Sequence, residues 1–273
     1  MIRIRLCEGF HEYDACVQLQ IETWGYDESE LIPRKTFLLA ARIGGQVIGA
    51  FERQISTDGI GKSTEALVGF AMSLPGIKTE NGRAEPYLHS HMLAVREGFR
   101  NRGLGAQLKR YQRDDALARG IRRIEWTFDP LEIKNAFLNI HRLGVIARTY
   151  RPDFYGVSSS RLQGGLPTDR LLAEWELDSP RVRAILDGGP AAVNAIEARI
   201  LVPASIYQWK ASHADRERAL AVQMENRRKF QQAFSQGLVV LGFSLDAEGN
   251  GVFELGSLTR PDEVFHTEDR ENL

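Results

Sequence analysis

Two histidines, His89 and His91, stand two residues apart in the run Tyr87-Leu-His-Ser-His-Met-Leu-Ala-Val95, whose composition reads as a strand. Residues i and i+2 of a strand share a face, so both imidazoles are expected on one side together with Leu93 and Val95. An imidazole ionises near ~6.5 and is suited to accept a proton at neutral pH. The pair is therefore suited to acid–base work, with His91 favoured over His89. Metal ligation is a competing chemistry for paired histidines, but no third ligand stands at a defined spacing, and no metal is expected. Hydrogen-bonded histidines without chemistry are the remaining alternative.

Directly downstream, Val95-Arg-Glu-Gly-Phe-Arg100-Asn101-Arg102-Gly103-Leu104-Gly105 leads from this strand through a glycine-bearing turn into an amphipathic helix, Leu104–Ala118. Glycines let backbone approach a ligand, and a helix N-terminus offers unpaired N–H groups with partial positive charge, which together suit phosphate oxygens. Charge is biased the same way. Residues 96–123 hold nine Arg/Lys against three Asp/Glu, a local net of +6, within a chain of 273 residues whose total is −1. The near-neutral total argues against nucleic acid or an anionic membrane as partner, while the local charge fits one small ligand carrying a few phosphates. A dinucleotide fingerprint would need glycine at Leu108, and a Walker A loop would need Gly-Lys-Ser/Thr, so both readings fail.

These residues require elements to hold them. Strands are expected at Ile2–Leu6, Gln46–Phe51, Ala66–Leu74, Tyr87–Val95, Ile121–Phe128, Val145–Tyr155 and Arg170–Leu177, with turn-rich stretches at Ser56–Thr64 and Pro75–Pro86. Helices are expected around Glu12–Ile21, from Pro33 to Ala41, at Leu104–Ala118 and at Glu132–Leu143. Alternating strands and helices imply a mixed α/β sheet. Composition shifts at Ser179-Pro180 and Gly188-Gly189-Pro190 set the expected units at 1–178 and 179–273, the second a β-α-β-β region. It comprises Ala198–Val202, one long helix Ser205–Ser235, a hairpin of Leu238–Leu245 with Gly251–Leu255, and a solvated acidic tail. Only two cysteines occur, and no apolar run is long enough to span a bilayer, so a cytoplasmic protein is expected.

Arg100-Asn-Arg-Gly103-Leu-Gly105 resembles motif A of the GNAT superfamily, the coenzyme-A-dependent N-acyltransferases, and the order of elements resembles that family from about Ile2 to Leu177. His89-Ser-His91-Met-Leu-Ala-Val95 is similar to the His-x-His-x-Leu-Ala-Val of aralkylamine N-acetyltransferases. Further stretches, Trp126-Thr-Phe-Asp-Pro-Leu and Asn135-Ala-(x)2-Asn139-Ile-His among them, resemble a bacterial branch of predicted acetyltransferases. The resemblance implies a mostly antiparallel sheet flanked by helices, with acetyl-coenzyme A or another acyl-coenzyme A as co-substrate. It assigns the pyrophosphate to Arg100, Asn101, Arg102, Gly103, Leu104 and Gly105, the pantetheine and thioester to the backbone of Leu93 and Val95, and places Asn135 and Asn139 near the coenzyme arm. His91, with His89, would be base or water relay. The tyrosine that such enzymes often use as acid is replaced at the matching offset by Ile140, leaving Tyr150 or Tyr155 as candidates. Trp24, Tyr26, Trp126 and Phe154 are candidates for the acceptor pocket or for core. The implied reaction is direct transfer of an acyl group, acetyl by default, to a primary amine of a small molecule. Alternatives are an amino-acid N-succinyltransferase using succinyl-coenzyme A and a non-catalytic coenzyme-A-binding module, with the C-terminal region offering a homodimer surface.

Overall fold

Alternating apolar side chains pair the first strands into a sheet that must be covered on both faces. In the computed structural model, residues 1–55, 63–80, 82–189 and 195–258 are described. β1 (Ile2–Leu6), β2 (Gln46–Ile55), β3 (Ser63–Glu80), β4 (Arg83–Val95), β5 (Arg123–Phe128), β6 (Tyr150–Arg151) and β7 (Arg170–Glu176) form one sheet in the order β1-β2-β3-β4-β5-β7-β6. Every junction is antiparallel except β4–β5, which is parallel. α1 (Gly9–Trp24) and α2 (Arg34–Arg42) cover one face, packing Cys16, Leu19 and Phe37 onto Phe70 and Met72. α3 (Leu104–Ala118) covers the other, where Leu104 and Leu108 meet Ile48, Val68 and Ala71.

The parallel junction is short. Only Leu88 and His89 of β4 pair with β5, opposite Ile124 and Glu125. Above that point the two strands have no ladder between them, which opens the sheet beside Ser90–Val95.

Beyond β7 come α5 (Pro180–Leu186), β8 (Ala198–Val202), α6 (Ile206–Ala211), α7 (Arg216–Ser235), β9 (Val239–Leu245) and β10 (Gly251–Gly256). Ser179 caps α5 by accepting from the Val182 N–H, with Pro180 at the first helical position. β8, β10 and β9 make a second, three-stranded sheet. It is joined to the first through residues 146–147, since Ile146 bridges to Glu174 and Ala147 to Val240. One hydrophobic core runs through both regions, with Trp126, Leu171, Ala173 and Trp175 packed in the same cluster as Phe230, Phe243 and Phe253.

Several elements differ from the sequence reading. The expected turn Pro75–Pro86 is mostly two strand arms, because β3 and β4 continue pairing to Glu80 and Arg83 and the chain reverses near Gly82 at φ 73°. The strand Val145–Tyr155 shrinks to Tyr150–Arg151, its earlier backbone being used for single bridges between the two sheets. The long helix breaks between Ala211 and Arg216, where Ser212 is extended and its hydroxyl accepts from the Asp215 N–H, a local bond that competes with helix. The helix at Glu132 is α-helical only over α4 (Ile133–Ala136) and continues as π-helix through Phe137–Arg142. Most of the Ser56–Thr64 connection, Pro190 and the acidic tail lie outside the described residues.

Candidate functional site

The expectation that His89, His91, Leu93 and Val95 share one face is corrected by a β-bulge. Met72 of β3 faces Met92, but the next residue, Ser73, faces Ser90, so His91 is the extra residue of β4. The bulge reverses the alternation. After it, Leu93 and Val95 pack toward α3 with Leu104 and Leu108, while Met92 and Ala94 pack toward α1 and α2. Before it, Ser90 turns to α3, where its hydroxyl meets Gln112, and His89 lies opposite Leu74 of the α1–α2 face. The two imidazoles remain neighbours, with ring centroids 6.1 Å apart.

A cavity of about 480 Å³ opens where β4 and β5 separate. His91, Leu93, Asn135, Leu138 and Asn139 line it, whereas His89, Val95 and Tyr150 do not. The π-helical stretch carries Leu138 and Asn139 to this wall, and such stretches recur at functional sites. Desolvation by the surrounding walls lowers the pKa of His91 below its ordinary 6.5, although the side chain stays exposed to the cavity. His89 is pushed down to about 4, by desolvation first and then by His91, Lys109 and Lys78. Both rings are therefore neutral at neutral pH.

The far wall comes from distant segments. Trp24 and Tyr26 are stacked with centroids 5.6 Å apart, and the loop after β6 closes over them. That loop is held by Ser158, whose hydroxyl donates to Glu30 at 2.9 Å, and by the Arg161 N–H donating to the Trp24 carbonyl at 3.0 Å. The Tyr155 hydroxyl lies 2.8 Å from the Thr127 hydroxyl, and the Arg170 guanidinium sits over the Tyr155 ring. Asp129 and Glu132 line the cavity and share the Lys210 ammonium of α6, at 2.9 and 2.8 Å. Burial raises the Glu132 carboxyl, against the opposing pull of Lys210.

Tyr150 is placed elsewhere. It is 8% exposed, its ring stacks on Phe230, and its hydroxyl donates to Asp169 at 2.6 Å. Its pKa is raised by burial and by that carboxylate, so the structure does not bring it to the cavity as an acid. Phe154 also lies off the cavity wall, while Trp126 both lines it and belongs to the core. Residues that the sequence reading missed include Lys109, Glu30, Asp129, Glu132 and Arg170. Lys109 alone carried a signal, a lysine among the buried positions Leu104, Leu108, Gln112 and Ala116 of α3.

Above β4, the glycine-bearing turn is built as expected. Asn101 and Gly103 both take left-handed backbone, φ 61° and 78°, and α3 starts at Leu104 without a side-chain cap. Its first turn stands beside the cavity wall, since a Cβ at Gly105 would lie 3.5 Å from Leu138 and 3.8 Å from Leu93. Arg100 donates from Nε to the Val95 carbonyl at 2.9 Å, and Arg102 lies over the Phe99 ring. The model of the acetyltransferase (GNAT) family matches residues 4–138, which span β1 through this turn to the π-helix. Residues 4–138 belong to that family.

No curated protein matches the acetyltransferase in sequence. Among solved structures, the ribosomal-protein-S18-alanine N-acetyltransferase from Escherichia coli aligns at 14% identity and TM-score 0.47, covering 66% of this chain and 96% of its own. NAA60 of Arabidopsis thaliana, solved with a bisubstrate analogue, aligns at 16% identity and TM-score 0.47, covering 64% and 98%. A GNAT family acetyltransferase from Elizabethkingia anophelis, with acetyl-CoA bound, aligns at 16% and 0.42, covering 64% and 97%. Among the described residues no group of three His, Cys, Asp or Glu side chains could hold a metal ion, and no helix is long and apolar enough to cross a membrane.

Proposed function

We propose that this enzyme moves an acyl group from acyl-coenzyme A directly to the primary amine of a small molecule held in the cavity. The observation that carries this reading is the opening of the sheet between β4 and β5, which joins the uncapped N-terminus of α3 to a cavity lined by His91. The backbone N–H groups of Arg100–Gly105, with the Arg100 and Arg102 guanidinium groups, bind the coenzyme pyrophosphate. Beside the gap, the backbone of Leu93 and Val95 has no strand on its β5 side to pair with, and it pairs with the pantetheine amides. Asn135 and Asn139 flank the same arm.

His91, neutral and on the cavity wall, accepts the ammonium proton of the incoming amine directly or through water. The freed amine nitrogen attacks the thioester carbonyl, the carbon–sulfur bond breaks, and the nitrogen's second proton passes to the leaving sulfur or to solvent; a thiolate whose conjugate acid ionises near ~8.5 needs no dedicated acid to leave. A backbone N–H at the bulge is the donor to the developing oxyanion. His89, held near 4 and off the cavity wall, is the weaker base of the two. A calorimetric titration tests the reading: acetyl- and other acyl-coenzyme A thioesters bind the intact chain, and absence of binding to all of them would overturn it.

A further inference from the structure

Just below the bulge, α3 and β4 enclose a polar cluster with more donors than acceptors. Lys109 is 2% exposed and lines the cavity, yet among the described residues its one hydrogen-bond partner is the Ser90 hydroxyl and no carboxylate pairs with it. Its Nζ donates to the Ser90 hydroxyl at 2.7 Å and lies 3.6 Å from the Trp126 ring centroid. Ser90 in turn donates to Gln112 Oε1 at 3.1 Å, while the buried Gln112 Nε2 has no partner. An ammonium can donate three hydrogen bonds and an amide nitrogen two, so the cluster lacks an anionic acceptor. Burial alone pushes the Lys109 amine well below the ordinary lysine range, the behaviour of a buried cation with no counter-charge.

The place of this cluster along β4 identifies what could supply the acceptor. Passing down the strand from the pyrophosphate turn, the order is Val95, Leu93, the bulge at His91, then Ser90 with Lys109 upon it. A thioester at the bulge leaves Ser90 one or two residues further on, about 3–7 Å, which a three- or four-carbon diacid spans. We propose that Lys109, backed by Ser90 and Gln112, receives a carboxylate at the far end of the acyl group, so that the preferred donor is the coenzyme A thioester of a short dicarboxylic acid. This rests on the reading of the β4–β5 gap as the acyl-coenzyme A site. A carboxylate there would give the Lys109 amine a charge-assisted hydrogen bond and restore its proton.

The test compares succinyl-coenzyme A with butyryl-coenzyme A, which has the same four-carbon length and a methyl in place of the carboxylate, together with malonyl- and acetyl-coenzyme A. Titrated into the intact chain, the better of the two diacid thioesters binds about tenfold or more tightly than butyryl-coenzyme A, the worth of a buried charged hydrogen bond. In Lys109→Met, a substitution of similar length, this preference collapses to less than about threefold, because diacid binding weakens more than butyryl-coenzyme A binding does. Equal or tighter binding of butyryl-coenzyme A by the unsubstituted chain, a comparison that needs no variant, overturns the proposal. So does a diacid preference that survives in Lys109→Met. Binding of acetyl- and butyryl-coenzyme A without diacid preference sinks this inference and leaves the acyl-transfer reading standing, whereas failure of all four thioesters to bind sinks that reading first.

Discussion

Desolvation by the cavity walls lowers the pKa of His91, although the side chain stays exposed to the opening, so the ring is already poised to accept a proton. Because its pKa lies below 6.5, the acidic limb of a kcat/KM profile should fall below that value. Replacing His91 by Gln should cost about 10²-fold or more near neutrality and abolish this limb, which steady-state rates between pH 5 and 9 would measure. A variant that keeps the limb would remove His91 from the chemistry. His89 makes a different prediction. Its folded pKa of about 4 lies beneath the unfolded value near ~6.5, so the folded state binds fewer protons between them. The stability it contributes is present above ~6.5 and is lost as pH falls toward 4. Thermal unfolding should follow that window, and His89→Asn should flatten it; an unchanged pH dependence would show that the shift lies elsewhere. The two histidines and Arg100–Gly105 were legible because a strand alternation and a glycine turn are local patterns. Arg170 and Glu30 were not, since nothing in their own neighbourhoods announces that the start of β7 and a loop near the N-terminus meet at one cavity.

The element that misled the sequence reading is the bulge, since one inserted residue moves every later side chain to the opposite face. Strand periodicity places Tyr87–Val95 correctly as a strand but assigns His89 and Leu93 to one face, and the structure separates them. The π-helical stretch was equally hidden, because its pattern is that of an α-helix until the hydrogen bonds shift. By contrast α3 and its turn matched their boundaries, the helix running from Leu104 to Ala118 as its amphipathic pattern requires. At Gly103 the left-handed φ of 78° has a measurable consequence. An added Cβ meets nothing within 4 Å, so Gly103→Ala introduces backbone strain without a clash. The expected cost is about 1 kcal/mol in stability, with weaker coenzyme A binding as the turn relaxes away from the left-handed form. Chemical denaturation and a coenzyme A titration read these separately. Unchanged coenzyme A affinity would mean that the turn's shape is not what binds the pyrophosphate.

Across the whole molecule, the region beyond Glu176 acts as the outer support of the cavity. Lys210 of α6 reaches Asp129 and Glu132 on its wall, Gln223 of α7 donates to the Pro167 carbonyl, and Arg227 pairs with the Asp169 that holds Tyr150. Phe230 fills the space against Tyr150 and Phe253. The sequence reading divided the chain at 178 from composition, yet the core cluster crosses that point without a break, because Leu171, Ala173 and Trp175 pack in the same cluster as the aromatic residues of α7, β9 and β10. Removing one partner of a buried ion pair strands the other, so Lys210→Met leaves the buried Asp129 and the half-buried Glu132 without their shared ammonium and should destabilise the chain by about 3 kcal/mol. Its KM for the amine should rise while coenzyme A affinity changes little, since Asp129 and Glu132 stand on the wall away from the pyrophosphate turn. The shared core makes a stronger demand on the chain as a unit. Full-length protein should unfold in one cooperative transition, and a fragment ending at residue 178 should expose the apolar face of β7 and the Tyr150 ring, losing both cooperative melting and coenzyme A binding. A soluble fragment 1–178 with a sharp transition and intact coenzyme A affinity would show instead that the cavity is complete without its support.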